Sequence, residues 1–395
     1  MFAFFAPTRK AALKALTLSS FAFAAACTVP GTVGVTEDTG QTVDLDAPVQ
    51  VALLVPGTAL GPGEAAVSGS LENAARMAIA ELQGVDIELR VYNTAGNPVQ
   101  AAQVANAAVE DGAQIILGPL FAEAANAAGV AVAQRNVNVL AFSNSPSIAG
   151  GNVFILGATF ENTARRLVQF ARGQGIADYA IAYANDTGGQ VGRDAISTAV
   201  RSNGGQVIAS QGYALTQDGV AAAVPQIVGA VQAGGADAVF FTGDPSTDLP
   251  FILNGVEAGG LAASDAQFLG ITRWDANPEV FASSAAQGGY FALPDQTITT
   301  AFAERYAAIY GSAPHPLAGL AFDGVAAIGA LLAQGNADAL TKAGLTTPQG
   351  FSGAGGIFRF LPNGQNQRGL AIATIQSNSV SILEPAPRSF AGSGL

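Results

Sequence analysis

Apolar and polar positions along the chain change period in a regular order. Residues 48–56 (PVQVALLVP) form a short, nearly continuous apolar run, the pattern of a strand buried on both faces. Helical spacing follows over residues 64–83, where Leu71, Ala75, Ala78, Ile79 and Leu82 share one face. Alternation returns at residues 87–92. A helix is then predicted over 98–110, a strand over 114–117, a helix over 121–135 and a strand over 137–143. Strands alternating with helices predict a parallel sheet covered on both faces. The same rhythm restarts after Thr159, with predicted helices over 161–173 and 191–203. Its predicted strands lie at 179–184, 206–213, 238–242 and 267–271. Near Leu293-Pro294 the rhythm breaks into two helices, 297–310 and 317–334. The end is β-like: 357–361, an Asn363-Gly364 turn of the hairpin type, then 370–377 and 380–383.

Length and composition fit two lobes. The chain has 395 residues, 49% hydrophobic and only 12% charged. Past residue 27 no apolar run of about 18 residues lacks a charge, so the apolar excess belongs to a core and not to a spanning helix. Net charge is -12, and the Lys and Arg residues are scattered, which argues against nucleic acid as a partner.

The first residues change that balance. Arg9, Lys10 and Lys14 precede an apolar stretch, 15–26, and then the only cysteine, Cys27. This is the layout of a secretory signal. The three small residues Ala24, Ala25 and Ala26 before Cys27 resemble a bacterial lipobox, with alanine at position 24 where leucine is commoner. By that resemblance residues 1–26 are removed, Cys27 is acylated, and the protein is exported and membrane-anchored through lipid. Thr28 after the cysteine points to the outer membrane, facing the periplasm. Residues 27–47, rich in Gly, Thr and acids, read as a flexible tether, and 385–395 as a frayed tail.

The order of elements resembles the type I periplasmic binding proteins of the leucine/isoleucine/valine-binding group over residues 48–384. The residues that carry the resemblance are the opening LLVPGTALGPGE, the strand VYNTAGNP, AAVEDGAQIILGPL with Gly118-Pro119, the helix AFDGVAAIGALLA with Asp323, and the closing FSGAGGIFRFLPNGQNQRGLAIATIQ. The resemblance implies an α/β fold of two Rossmann-like lobes with parallel sheets joined by three crossover strands, near 157–160, 293–296 and 346–352. It assigns 48–158 plus 295–345 to the N-terminal lobe and 159–294 plus 346–384 to the C-terminal lobe.

ILGPLFAEAANA followed by NVLAFSNSPSIAGGNVFILG is similar, more narrowly, to lipoproteins named penicillin-binding protein activators. That likeness implies a non-catalytic regulator of a peptidoglycan synthase. The wider family implies the alternative, the receptor of an ABC permease for a branched-chain amino acid or similar small solute.

Ligands of open parallel sheets sit beyond the carboxyl ends of strands. That rule selects Leu120 and Phe121 after one strand, and Ser143, Asn144 and Ser145 after the next. In amino-acid-binding relatives a serine or threonine just after the Gly-Pro turn helps to hold the carboxylate. Here Leu120, Phe121 and Ala122 fill that stretch, which weighs against amino-acid capture. In the second lobe Tyr183 faces the cleft by resemblance. Asp186 either does the same or caps a helix, and Asp244 either meets an amine or caps a helix. Trp274, the only tryptophan, either packs on a ligand or belongs to the core. His315, the only histidine, lies between Pro314 and Pro316, a structural loop position. No catalytic constellation, metal-ligand cluster or cofactor loop is evident, so neither an enzyme nor a cofactor is expected.

Overall fold

A computed structural model of the chain describes residues 38–58 and 61–391. Cys27, the leader and the first part of the expected tether lie outside them.

The first run of elements is β1 (Val49–Val55), α1 (Pro62–Glu81), β2 (Ile87–Asn93), α2 (Pro98–Glu110), β3 (Ile115–Leu117), α3 (Ala122–Val132), β4 (Asn138–Ala141) and β5 (Val153–Ile155). The five strands form a wholly parallel sheet in the order β2-β1-β3-β4-β5. Fully buried strands such as β3 and β4 explain the absence of alternation there. One face packs α2 and α3 through a layer of alanines and valines.

After β5 come α4 (Phe160–Gly173), β6 (Asp178–Ala184), α5 (Thr187–Ser202), β7 (Gln206–Tyr213), α6 (Gln217–Gln232), β8 (Ala238–Phe241), α7 (Leu249–Ala258), β9 (Gln267–Gly270), α8 (Pro278–Phe281) and β10 (Tyr290–Leu293). The chain then forms α9 (Gln296–Tyr310), α10 (Ala318–Leu332) and α11 (Lys342–Leu345). It closes with β11 (Phe351–Gly353), β12 (Gly356–Phe360), β13 (Asn366–Arg368), β14 (Ala371–Gln376) and β15 (Ser379–Glu384). The second sheet has seven strands in the order β15-β14-β10-β9-β8-β6-β7. It is parallel except where β14 meets β10 and β15. Helices α6 and α7 cover one face, α4 and α5 the other.

Helices α9 and α10 return to the first lobe, where Phe302, Tyr306, Phe322 and Ile328 join the core behind β1 and α1. The expected third crossover, near 346–352, is displaced. Phe351, Phe358 and Phe360 of β11 and β12 bury themselves in the first-lobe core, so this small three-stranded sheet stays with that lobe. The passage to the second lobe falls at Gly369-Leu370, between β13 and β14, because beyond the hairpins Leu370, Ala371 and Ile372 are the next residues to enter the second-lobe cores.

Both ends of the described chain also depart from expectation. Residues 38–47 do not float: Lys342 N–H donates to the Thr39 carbonyl, Val43 N–H donates to Ala337, and Val43 is buried in the first core. The tail docks through Phe390, which is buried beneath the Arg359 guanidinium, 4.5 Å from its ring centroid.

Candidate functional site

Between the lobes lies a cavity of about 820 Å³. The first lobe contributes the turns after β3 and β4 and the α9–α10 region. The second contributes Thr163 at the start of α4, Ile271 and Arg273 after β9, and Ala292 of β10. The β11–β13 hairpins and Leu370 close the remaining side.

The turn after β3 can take its shape because position 118 is glycine. Gly118 has φ of +85°, and a Cβ there would run into the Leu54 carbonyl. Its N–H donates to Leu140, and Phe142 N–H donates back to Pro119, locking the two turns together. Leu120 and Phe121 therefore reach the cavity. Phe121 is exposed, and it precedes α3 without any side-chain cap. Ser143 and Asn144 also line the cavity. Ser143 is buried, and its Oγ accepts the Ser145 N–H at 3.1 Å, so its hydroxyl hydrogen remains available to a ligand. Ser145 itself turns to Ser147, with their Oγ atoms 2.9 Å apart, and does not line the cavity.

The second-lobe candidates fare differently. Trp274 is a core residue: it is fully buried and stacked on Phe291, and Gly270 and Gly289 make room for its ring. Tyr183 lies under the Arg193 guanidinium, 5.0 Å from its ring centroid, and is not part of the cavity wall. Asp186 caps α5, accepting the Gly189 N–H at 2.6 Å. Asp244 is exposed, accepts the Ser246 N–H at 2.8 Å in a local turn, and also lies outside the wall. In each case a local partner holds the side chain that strand-end logic had aimed at the cleft.

Several further residues line the wall. Arg273 stands beside Trp274, and its Nε and Nη2 engage Asp275 at 2.6 and 2.5 Å. That fork leaves Nη1 free on a side chain about half exposed, 45%. His315 lines the cavity too; its Nδ1 accepts the Leu317 N–H at 3.2 Å, which puts the proton of the neutral ring on Nε2. Asp323 and Arg368 meet in the wall at 2.8 Å. Burial pushes the Asp323 carboxyl upward, while Arg368 and the Ala354 N–H draw it back down. Nothing local marks Thr163, Phe302, Ile357 or Arg368 as wall residues, since only the lobe crossings bring them there. Among the described residues no group of three or more His, Cys, Asp or Glu is placed to hold a metal ion, and no helix is long and apolar enough to cross a membrane.

An open crevice at the carboxyl ends of two doubly wound sheets, walled by both lobes, defines a bilobed small-molecule binding protein. Residues 48–379 match the family described as periplasmic binding protein, and the chain belongs to that family. Its solved relatives agree in fold. A putative branched-chain amino acid ABC transporter protein from Rhodospirillum rubrum superposes with TM-score 0.71 at 17% identity, covering 85% of this chain and 100% of that one. A branched chain amino acid ABC transporter periplasmic ligand-binding protein from Burkholderia xenovorans LB400 gives 0.65 at 17%, covering 86% and 96%. An ABC transporter substrate-binding protein from Desulfitobacterium hafniense, solved in complex with Leu, gives 0.61 at 18%, covering 85% and 100%. No curated protein is a significant match by sequence.

Proposed function

We propose that this chain is an exported solute-binding protein that captures a small molecule between its lobes and delivers it to an ABC permease. The observation that carries this reading is the cavity of about 820 Å³ with walls from both lobes. Its size falls in the range of small-molecule sites, roughly 300–1,000 Å³. Most of its wall is hydrocarbon, with a few fixed polar groups (Ser143, Arg273 and His315) to orient a ligand. A thermal-shift screen of small organic solutes on the purified chain, followed by calorimetry, tests it. A saturable ligand that raises the melting temperature supports the reading. A broad panel with none overturns it.

A second reading rests on the turn after β3. Leu120, Phe121 and Ala122 put no side-chain hydroxyl beside Gly118-Pro119, which suits a cleft retained for shape and a role as activator of a penicillin-binding protein. Its partner would be a peptidoglycan synthase. Co-purification of a synthase labelled with fluorescent penicillin would favour that role over import.

We propose a lipid anchor at Cys27, with the outer membrane as its site under the activator reading. Intact-mass measurement should find residues 1–26 absent and acyl mass on the cysteine, both lost in Cys27→Ser. A mature chain without acyl mass would refute the anchor.

A further inference from the structure

The cleft's polar groups are unbalanced in a way that names a ligand class, and this step rests on the solute-binding reading. An α-amino acid enters a cleft as a zwitterion. Its ammonium group gives up water only where carboxylate or carbonyl oxygens replace that water, since a desolvated charge must be paired. Among the described residues, Asp323 is the single carboxylate in the cavity wall. It is 2% exposed, its charge is already paired with Arg368 at 2.8 Å through Oδ2, and Oδ1 accepts the Ala354 N–H at 2.7 Å. Position 353 must be glycine for this approach, because a Cβ there would collide with Asp323 Oδ1. The acids at the second-lobe strand ends are engaged as well. Asp275 is forked onto Arg273. Asp248 is buried and takes the Tyr213 hydroxyl and the Asp244 N–H. Asp244 stands outside the wall in its own turn.

Donors for an anion are present. Asp275 fixes the Arg273 guanidinium by two of its nitrogens and leaves Nη1 unengaged on a side chain that lines the cavity, a pre-oriented anion anchor. Ser143 supplies a free hydroxyl hydrogen and His315 an Nε2 proton. Around them the wall is hydrocarbon, including Leu120, Phe121, Phe142, Ile271, Phe302 and Ile357.

We propose that the cleft binds an apolar monocarboxylate without an amino group, an aliphatic or aromatic acid, with its carboxylate on Arg273. Matched pairs isolate the amino group: leucine against isocaproate, and phenylalanine against hydrocinnamate, each pair differing only by the ammonium. Calorimetry on the purified full chain should give isocaproate or hydrocinnamate at least about tenfold tighter binding than its amino counterpart. Arg273→Gln should weaken the acid by about tenfold or more, the loss expected for a charge-assisted hydrogen bond. Arg273→Gln also takes the cation from Asp275, which is only 10% exposed, so its melting temperature should fall; circular dichroism of the free variant checks that it is folded, and Arg273→Lys, which keeps the charge, should retain part of the affinity.

Leucine or phenylalanine binding as tightly as its deaminated partner would overturn the ligand class and leave the solute-binding reading standing. Acid binding unmoved by Arg273→Gln would overturn the anchor. Failure of all four probes while another solute binds would overturn the class alone. Failure of a broad panel would overturn both.

Discussion

Arg368 on β13 donates from Nη1 to Asp323 Oδ2 on α10 at 2.8 Å, and the two side chains are 11% and 2% exposed. Arg368 also donates to the Leu156 carbonyl, and its guanidinium lies 5.2 Å from the Phe358 ring centroid. One side chain thus ties the end of the first sheet, the returning helix and the closing hairpin together in the wall of the cleft.

Removing the cation alone should be costly. Arg368→Met leaves Asp323 buried with only the Ala354 N–H, and the expected loss is about 3–5 kcal/mol, as for a broken buried pair. The loss should depend on pH. Without Arg368 the Asp323 carboxyl is raised further by burial. A raised acid contributes its full stability below its unfolded value, about 4, and that contribution is lost as pH rises through the folded value. Denaturant unfolding should therefore find the variant much closer to wild type at about pH 4 than at neutral pH. The double variant Asp323→Asn/Arg368→Gln should recover part of the loss.

A second knot sits where the first lobe hands over to α4. Asn366 Nδ2 donates to the carbonyls of Ile155 and Gly157, both at 2.8 Å, and its Oδ1 accepts from Asn162 Nδ2 at 2.8 Å. Asn366→Ala takes this donor from the two carbonyls, each worth about 1–3 kcal/mol if left buried without a partner, while Asn162 Nδ2 keeps Thr159 Oγ1 at 3.0 Å. A total destabilisation of about 3 kcal/mol is expected by urea unfolding. A change under about 0.5 kcal/mol, the scatter of ordinary surface substitutions, would contradict the assignment.

Ser143→Ala removes the cleft hydroxyl, and with it the acceptor of the Ser145 N–H. Affinity for the preferred ligand should fall about tenfold. Calorimetry checks this, with the melting temperature of the free protein as the control for folding.

Two phenols of the second lobe set its alkaline limit. Tyr179 is pushed up to about 12, first by burial and then by the charge of Asp237. Tyr213 is raised by burial and by its 2.6 Å hydrogen bond to Asp248. Their contribution is complete below the unfolded value of about 10 and is lost as pH climbs from there through the folded values. The unfolding free energy should decline steeply above about pH 10. Tyr213→Phe should flatten that decline while costing about 1.5–3 kcal/mol at neutral pH through the lost bond to a carboxylate.

Much of this was legible in the sequence. The alternation of buried apolar runs with helical spacing, and its restart after Thr159, fixes two doubly wound lobes because burial on both faces leaves a parallel sheet no other pattern. Gly118-Pro119 and Ser143 mark the first-lobe wall, since strand-end turns are local features. The second-lobe wall was beyond that logic: Tyr183, Asp244 and Trp274 satisfy the strand-end rule equally well, yet Arg193, the Ser246 N–H and Phe291 claim them instead. Asp323, Arg368, Phe302 and Ile357 come from segments remote in the chain. Their convergence depends on where Phe351, Phe358 and Phe360 bury themselves, a choice between two available cores that periodicity does not encode. The sequence by itself determined the principal helices and strands and their layering, but not the short strands β5 and β13. The tertiary structure alone decided which charges meet in the cleft, because contacts between remote segments are fixed by competition for burial and not by local pattern.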